Sequence, residues 1–183
     1  PGDTIREQIQ FSADRATTST LRIVNLTSPP NGGIVPALSG SLTAPATWLR
    51  LETGDVELAS ESAVTRSIEV TVPTTAAPGQ YLAAVIIEAS TPAADDIQLS
   101  QTSSATLIVA ITVAGEQDAA FDLDDPTLEQ RATGLTLVIP ISNTGNVTLA
   151  PAGELTVDPA SGELVTLPVT LGPIISGVTT TIE

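Results

Sequence analysis

The chain of 183 residues contains no histidine, no cysteine and no methionine, and only 2% of its residues are aromatic. It therefore lacks the most frequent general base, the usual thiol nucleophile and the commonest ligands of transition metals. The sequence also has no nucleophile motif of the G-x-S-x-G type. These absences argue against a hydrolase or a transferase, and we expect a protein that is not an enzyme and needs no organic cofactor.

Positive charge is scarce as well. Six basic residues stand against 21 acidic ones, which gives a net charge of −15. Nucleic acids and anionic membrane surfaces both require clustered basic side chains, so we expect neither as a partner. The longest apolar run, residues 81–87, is too short to cross a bilayer. The residues present therefore predict no membrane contact.

Alternation of apolar and polar residues is frequent along the chain and predicts an all-β protein. The run 81–89 is apolar at nearly every position, which is typical of a central strand in a sandwich. Turn clusters such as Pro29–Gly33 and Ala77–Gly79 separate the predicted strands. Seven or so strands in about 115 residues favour an immunoglobulin-like antiparallel sandwich. Its predicted inward-facing residues are Ile68, Val70, Val72, Val85, Ile87, Leu107, Val109 and Ile111.

A boundary is predicted near Gly115, which gives two tandem immunoglobulin-like domains, 1–115 and 116–183. The second has only five predicted strands, at 120–124, 135–142, 147–157, 164–170 and 178–182, and we therefore expect it to be incomplete. Pro140 lacks an N–H group, so its strand should lie at an edge or carry a bulge. An edge without its neighbour can be completed by strands beyond Glu183, or by a strand from a second chain. The second alternative predicts self-association through an open sheet edge.

Acidic residues cluster at the predicted domain junction, where Glu116 and Asp118 precede Asp122, Asp124 and Asp125. Calcium prefers six to eight oxygen ligands and favours grouped carboxylates. We therefore name Asp122, Asp124 and Asp125 as candidate calcium ligands. A solvated acidic linker would have the same composition, and this alternative stays open.

A few single residues also invite a functional interpretation. Trp48 is either a core residue or a platform for a sugar ring. Tyr81 follows Pro-Gly-Gln at a strand start, as a tyrosine-corner residue does. Asn25 and Asn146 begin formal glycosylation sequons, which a bacterial protein would normally leave unmodified. The pair Asp95-Asp96 lies in a polar loop, most simply a hairpin tip rather than a catalytic carboxylate pair.

Taken in order, several motifs together resemble those of a known family. They are Pro1-Gly2-Asp3, Trp48–Leu51, Val70–Pro73, Ala77–Tyr81, Ile141–Val147, Gly153–Val157 and Leu171–Gly177. This ordered set, which covers nearly the whole chain, resembles the WxL-interacting proteins of Gram-positive cell surfaces and their relatives in other bacteria.

The resemblance implies an exported protein with a peptidoglycan-binding immunoglobulin-like domain, a second β domain, a membrane helix and a short basic tail. It implies no catalytic residues. The chain starts at Pro1 and stops at Glu183, before the implied helix, so we expect a processed form or a fragment. Membrane anchoring is then expected only from a segment that is not among these residues.

The functional prediction is a non-enzymatic extracellular module at the bacterial cell surface that contacts cell-wall polymer or other surface proteins. The alternative is a structural subunit of a surface layer or filament, assembled by β-strand pairing between copies. An accessory domain of a longer hydrolase is a third hypothesis.

Overall fold

The computed structural model describes residues 1–91, 101–132, 134–158 and 162–183. In these residues the chain forms β-strands and one short turn of 3-10 helix, so the all-β prediction is confirmed. Within the same ranges no helix is long and apolar enough to span a bilayer. The pair Asp95-Asp96, predicted to lie in a polar loop, falls outside the described residues.

The chain divides into two compact units. Unit 1 comprises Pro1–Asn25, Pro36–Ala77 and Leu82–Val113, and unit 2 comprises Leu26–Val35, Pro78–Tyr81 and Ala114–Glu183. The main junction, between residues 113 and 114, lies beside the predicted boundary. Unit 2 also includes two short segments from the N-terminal half, which the strand pattern along the sequence does not reveal.

The first eight strands build two antiparallel sheets, with most of their residues in unit 1. A three-stranded sheet has the order β1-β6-β4, and a second sheet has the order β3-β2-β7-β8, with β5 also paired to β2. A 3-10 turn, Ala46–Trp48, leads into β4. The strands are β1 (Thr4–Ala13), β2 (Thr17–Thr27), β3 (Val35–Ala37), β4 (Leu49–Leu51), β5 (Gly54–Leu58), β6 (Ser62–Thr71), β7 (Gly79–Thr91) and β8 (Gln101–Val113).

Aliphatic side chains fill the core of unit 1, as the scarcity of aromatics requires. The middle of β7, residues 83–86, is buried on both faces, which confirms the prediction of a central strand. Trp48 is only 8% exposed, so the core interpretation of the single tryptophan is confirmed. Other buried residues of unit 1 are Leu21, Leu49, Val56, Leu58, Ile68, Val70, Val72 and Val113.

The predicted inward-facing set of unit 1 is wrong at Leu107, which is 40% exposed, while Ile87, Val109 and Ile111 are half-buried. For β8 the physical reason is position in the sheet, because β8 is the last described strand and has a described neighbour on one side only. Alternation along β8 was correctly read as a strand, but it does not show whether that strand is central or lateral.

Unit 2 contains one sheet and a separate hairpin. In the sheet, β11 is central, with β9 and β10 on one side and β14 on the other, while β12 pairs only with β13. The segment 127–131 was not predicted as a strand, and the predicted strand 147–157 forms only from residue 152. The strands are β9 (Phe121–Leu123), β10 (Thr127–Arg131), β11 (Gly134–Asn143), β12 (Ala152–Val157), β13 (Val165–Thr170) and β14 (Thr179–Ile182).

Pro140 lies in the central strand of this sheet, so the prediction of an edge strand or a bulge at that position is wrong for β11 itself. The irregularity is in the neighbouring chain instead. Both β9 and β10 pair with β11, and residues 124–126 between them interrupt this pairing opposite Pro140. The carbonyl of Pro140 accepts a hydrogen bond from the Asp124 N–H at 3.1 Å. A strand with a missing donor is accommodated because its neighbour is broken where the donor would be needed.

The core of unit 2 is small. Ile141, Leu171 and Ile174 are at most 4% exposed, and Val169, Val178 and Ile182 pack against them. Asn143 is 2% exposed, and its amide donates to the carbonyls of Val147 at 2.8 Å and Ile174 at 2.9 Å. This side chain satisfies buried backbone groups where regular pairing ends.

The asparagines of both sequons are hydrogen-bonded to backbone. In unit 2, Asn146 donates to the carbonyls of Pro78 at 3.0 Å and Glu116 at 2.9 Å and accepts from the Asp118 N–H at 2.7 Å. In unit 1, Asn25 donates to the Ser41 carbonyl at 2.9 Å. Both amides therefore connect chain segments that are distant in sequence.

Candidate functional site

The strand β8 is the most unusual surface element of unit 1. Its thirteen residues, QTSSATLIVAITV, contain no charged residue, no proline and no glycine. It ends its sheet among the described residues, so its outer side presents backbone N–H and C=O groups that no described strand pairs with. Natural sheets usually protect such edges with charges, proline, bulges or short strands. None of the sequence devices is present in β8.

The side chains of β8 are also more exposed than is usual for such an apolar strand. Residues 103–108 are exposed, and among them Leu107 is 40% and Ile108 44% accessible. Val109 and Ile111 are half-buried and Val113 is buried, so this row faces the core. Ile108, Ala110 and Thr112 lie on the outer face. The edge therefore offers unpaired backbone together with apolar side chains on both faces.

The opposite sheet of unit 1 has a lateral strand of a different kind. The strand β1 pairs with β6 alone, but it carries Arg6 and Glu7 in its middle. Arg6 forms an ion pair with Glu69 on the neighbouring strand, with an Nε–Oε2 distance of 2.6 Å. Charges on an edge strand discourage pairing with another chain. Among these two lateral strands, β8 is the one without such protection.

An open groove of about 800 Å³ is the second candidate in unit 1. Residues 20–23 of β2 line one part of it and residues 49–54 line another, together with Leu42 and Ser67. Its lining combines apolar side chains with Arg50 and Glu52. A mixed, open surface of this kind suits an extended polymer better than a small apolar ligand, because small-ligand sites are enclosed and mainly apolar.

The arginines show which cations of the protein are already neutralised. Arg50 in this groove and Arg15 near the end of β1 have no ion-pair partner within the described ranges. The other four of the six arginines are each paired with glutamate, as Arg6–Glu69, Arg22–Glu88, Arg66–Glu52 and Arg131 with Glu129 and Glu183. In an acidic chain, Arg50 is thus a cation available to a ligand in the groove.

Unit 2 has a smaller apolar cavity of about 160 Å³ between the sheet and the β12–β13 hairpin. Phe121, Leu123, Leu155 and Val169 are among its lining residues. Phe121 is 48% and Leu123 56% exposed, so the opening of the cavity is apolar as well. Such a cavity is expected where the hairpin covers the apolar face of the sheet only in part.

The candidate calcium ligands lie in and just after β9. Asp122 stands opposite Ser142 in the sheet, and Asp124 and Asp125 follow the strand, all three exposed. In the part of the chain that the structure describes, no three acidic side chains are grouped so that they could hold a metal ion. Calcium binding by Asp122, Asp124 and Asp125 stays a prediction, as does the corner role of Tyr81.

Among the described residues, clear pKa shifts occur in the ion pair between Arg131, at the end of β10, and Glu183, just after β14. Arg131 donates to Glu183 at 2.7 and 2.9 Å and to Glu129 at 3.0 Å. The hydrogen bonds from Arg131 lower the pKa of the Glu183 carboxyl below its ordinary value. The same bonds, first that to Glu183, raise the pKa of Arg131. This pair is structural and lies outside the grooves.

No model of a known protein family matches the sequence, and no characterised protein matches it. Solved structures are similar in fold. One is the CsuC–CsuE chaperone–tip adhesion subunit pre-assembly complex from the archaic chaperone-usher Csu pili of Acinetobacter baumannii, with a TM-score of 0.50, 7% identity and coverage of 98% of this chain and 79% of the matched chain. Another is the class 5 fimbriae chaperone CfaA, with a TM-score of 0.49, 12% identity and coverage of 98% and 78%.

At such identities the likeness shows the fold alone, an all-β architecture that extends over nearly the whole chain. The residues of the candidate edge were not singled out in the sequence analysis, where Leu107, Val109 and Ile111 were assigned to the core. A signal for the edge is nevertheless present in the sequence, because β8 is the longest of the described strands that contain no charged residue.

Proposed function

We propose that this protein is a non-enzymatic binding module of the bacterial cell envelope, and that its partners are β-rich surface proteins that add a strand along β8. The observation that carries the proposal is the uncharged β8 edge, which no described strand pairs with on its outer side and on which Leu107 and Ile108 are exposed. Strand addition supplies main-chain hydrogen bonds for affinity and side-chain contacts for specificity. A protein of similar fold that takes part in a chaperone–tip adhesion subunit complex supports a protein partner.

Amide hydrogen exchange along β8 tests this proposal. The outer-edge amides of residues 103–112 should exchange rapidly in the isolated protein at dilutions where it is monomeric, and become protected when a fraction of β-rich surface proteins from the source cells is added. Ala110→Lys places a charge on the outer face of β8 and should abolish the protection. Gln8→Lys on β1 is the matched control and should leave it unchanged. Equal protection in both variants would show that binding occurs elsewhere.

A second function is favoured by the groove around Arg50, which we propose as a site for cell-wall polymer. This is also the activity that the resemblance to WxL-interacting proteins implies. An arginine without an internal partner can form charge-assisted hydrogen bonds to carboxylate or phosphate groups of the polymer.

Sedimentation with purified peptidoglycan tests the groove. Arg50→Gln should reduce the bound fraction several-fold, and the reduction should be largest at low ionic strength, where screening is weak. Arg6→Gln removes an arginine that is already paired with Glu69 and should change binding little. If the two variants lose the same amount, the effect reflects net charge and the groove is not the site.

A further inference from the structure

The strand β8 is nearly symmetric in its chemistry about Val109. Reading outward from that residue, Ile108 corresponds to Ala110, Leu107 to Ile111, and Thr106 to Thr112. Both members of each pair lie on the same face of the strand, since their separations are even. Aliphatic residues therefore correspond to aliphatic residues, and hydroxyls to hydroxyls, on each face.

Such a pattern is self-complementary in one arrangement only. When two copies of a strand pair antiparallel around a two-fold axis, each residue faces the residue at the same distance on the other side of the axis. With the axis at Val109, Leu107 faces the Ile111 position of the second copy, and Thr106 faces the Thr112 position. Cross-strand pairs of aliphatic side chains and of threonines are both stabilising.

Charge favours a second copy at this edge and disfavours it elsewhere. Each copy carries a net charge of −15, so two copies repel one another wherever ordinary surface is brought together. The strand β8 has no charge over its whole length, whereas the lateral strand β1 carries Arg6 and Glu7. The uncharged edge is thus where two copies can approach without placing like charges directly opposite one another.

We propose that the protein forms a two-fold symmetric dimer in which β8 of each copy pairs antiparallel with β8 of the other, with Val109 opposite Val109. The inference rests on the proposed function of β8 as a strand-binding edge and names a second copy as its partner. Pairing over residues 105–113 joins the two sheets into one continuous sheet. It covers Leu107 and Ile108 and gives hydrogen-bond partners to the free backbone groups of both edges.

Sedimentation equilibrium of the purified chain is the first test. We expect a monomer–dimer equilibrium that shifts toward dimer as salt is added, because salt screens the repulsion between the acidic copies. Ala110→Lys should weaken the dimer by at least about tenfold, which corresponds to roughly 1.4 kcal/mol. Gln8→Lys, the matched substitution on β1, should leave the dissociation constant unchanged. A monomer at all concentrations and salt levels, or equal effects of both variants, would overturn the proposal.

The register is tested by disulfide trapping, which is clean because the chain has no cysteine of its own. Mixing Ile108→Cys with Ala110→Cys copies should give mainly the mixed disulfide dimer, since these positions face each other in the proposed register. Mixing Ser104→Cys with Ala110→Cys should give little, because these positions are several residues out of register. Preferential trapping of the second pair would refute the Val109 register.

These results separate the dimer from the wider function of β8. If the protein stays monomeric but β8 amides are protected by surface proteins, the dimer is refuted and the proposed function stands. If neither a second copy nor surface proteins protect β8, both are refuted. If the dimer forms and Ala110→Lys disrupts it, the dimer is supported whatever other proteins bind there.

Discussion

The two units of this chain use the same sequence pattern with different results. In unit 1, alternating Ile68, Val70 and Val72 are all less than 10% exposed. In unit 2, the alternating row of β11 runs from Leu135, which is 69% exposed, to Ile141, which is 1% exposed, and Leu167 on β13 is 50% exposed. Alternation along a strand defines an apolar face, but the cover of that face comes from another part of the chain.

Unit 2, with its partly uncovered faces, has a denser set of described side-chain to backbone hydrogen bonds from asparagine. Asn143 and Asn146 satisfy backbone groups of separate segments, and close backbone packing replaces side-chain burial at some points. A Cβ atom on Gly79 would lie 2.6 Å from the Asn146 carbonyl oxygen, and its φ of +147° also favours glycine. The comparison teaches that the two units are stabilised by different mixtures of burial and hydrogen bonding.

The largest difference in stability between the two units is expected when one valine in each unit is replaced by aspartate. Val85→Asp puts an unpaired carboxylate at a side chain that is 1% exposed and should cost about 3–5 kcal/mol. Val157→Asp, at a side chain of unit 2 that is 39% exposed, should cost less than about 1 kcal/mol. Urea unfolding followed by circular dichroism gives both values. Equal costs would mean that Val157 is covered in solution and that the two units do not differ in this way.

The next largest effect should come from the buried amide of unit 2. Asn143→Ala leaves the carbonyls of Val147 and Ile174 without their donor, so we expect a loss of about 2–3 kcal/mol. Amide exchange in β11 and β14 should become faster. Ser142→Ala is the control, because its hydroxyl contacts Thr179 at an exposed position, and it should cost less than about 0.5 kcal/mol. A similar loss in the two variants would remove the special role of Asn143.

A smaller change in the free energy of unfolding is expected at the exposed lateral strand β8 of unit 1. Leu107→Thr keeps a residue that favours strands on β8 and removes exposed apolar surface, so the free energy of unfolding should change by less than about 1 kcal/mol. Leu21→Ala, at a side chain with no exposed surface, should cost about 2–5 kcal/mol in the same unit. Fluorescence of Trp48 monitors both. Both are measured at dilutions where the protein is monomeric, and a large cost for Leu107→Thr there would show that Leu107 is covered within the monomer itself.

The smallest effect concerns the ion pair between Arg131 and Glu183. Because the folded state lowers the pKa of Glu183, its stabilising contribution is complete above the ordinary carboxyl pKa and is lost as the pH falls through the lowered value. In Arg131→Gln the pKa should return toward the ordinary range, and this acid-dependent contribution should disappear. An NMR titration of the Glu183 carboxyl measures the shift. An unchanged titration would assign the lowered pKa to another cause.

Much of the fold could be predicted from the sequence because its strands are strongly patterned. The strands around 68–72, 81–89 and 135–142 were located correctly, and Trp48 was correctly placed in the core. β10 was missed because Thr-Leu-Glu-Gln-Arg has a single apolar residue, and only its pairing with β11 makes it a strand. Local pattern cannot report pairing partners, since tertiary contacts override intrinsic preference.

The candidate site was harder to predict for the same reason. Whether Leu107 is a core residue or an edge residue depends on the order of strands in the sheet, and that order is set by contacts far apart in sequence. Arg50 likewise becomes distinctive only when four of the other five arginines are seen to be paired. The absence of charge in β8 is the one property of the site that can be read without the structure.

The hydrogen bonds of the sequon asparagines have a practical consequence for producing this protein. An oligosaccharide transferred to Asn146 during secretion from a eukaryotic host would replace one of the two Nδ2 hydrogens that bind Pro78 and Glu116, so the glycosylated chain would lose one of these hydrogen bonds and unit 2 would be destabilised. Thr148→Ala destroys the same sequon and keeps Asn146, and the hydrogen bond that residue 148 makes to Gln80 comes from its backbone N–H. Recombinant yield from such a host should therefore recover with Thr148→Ala but not with Asn146→Gln.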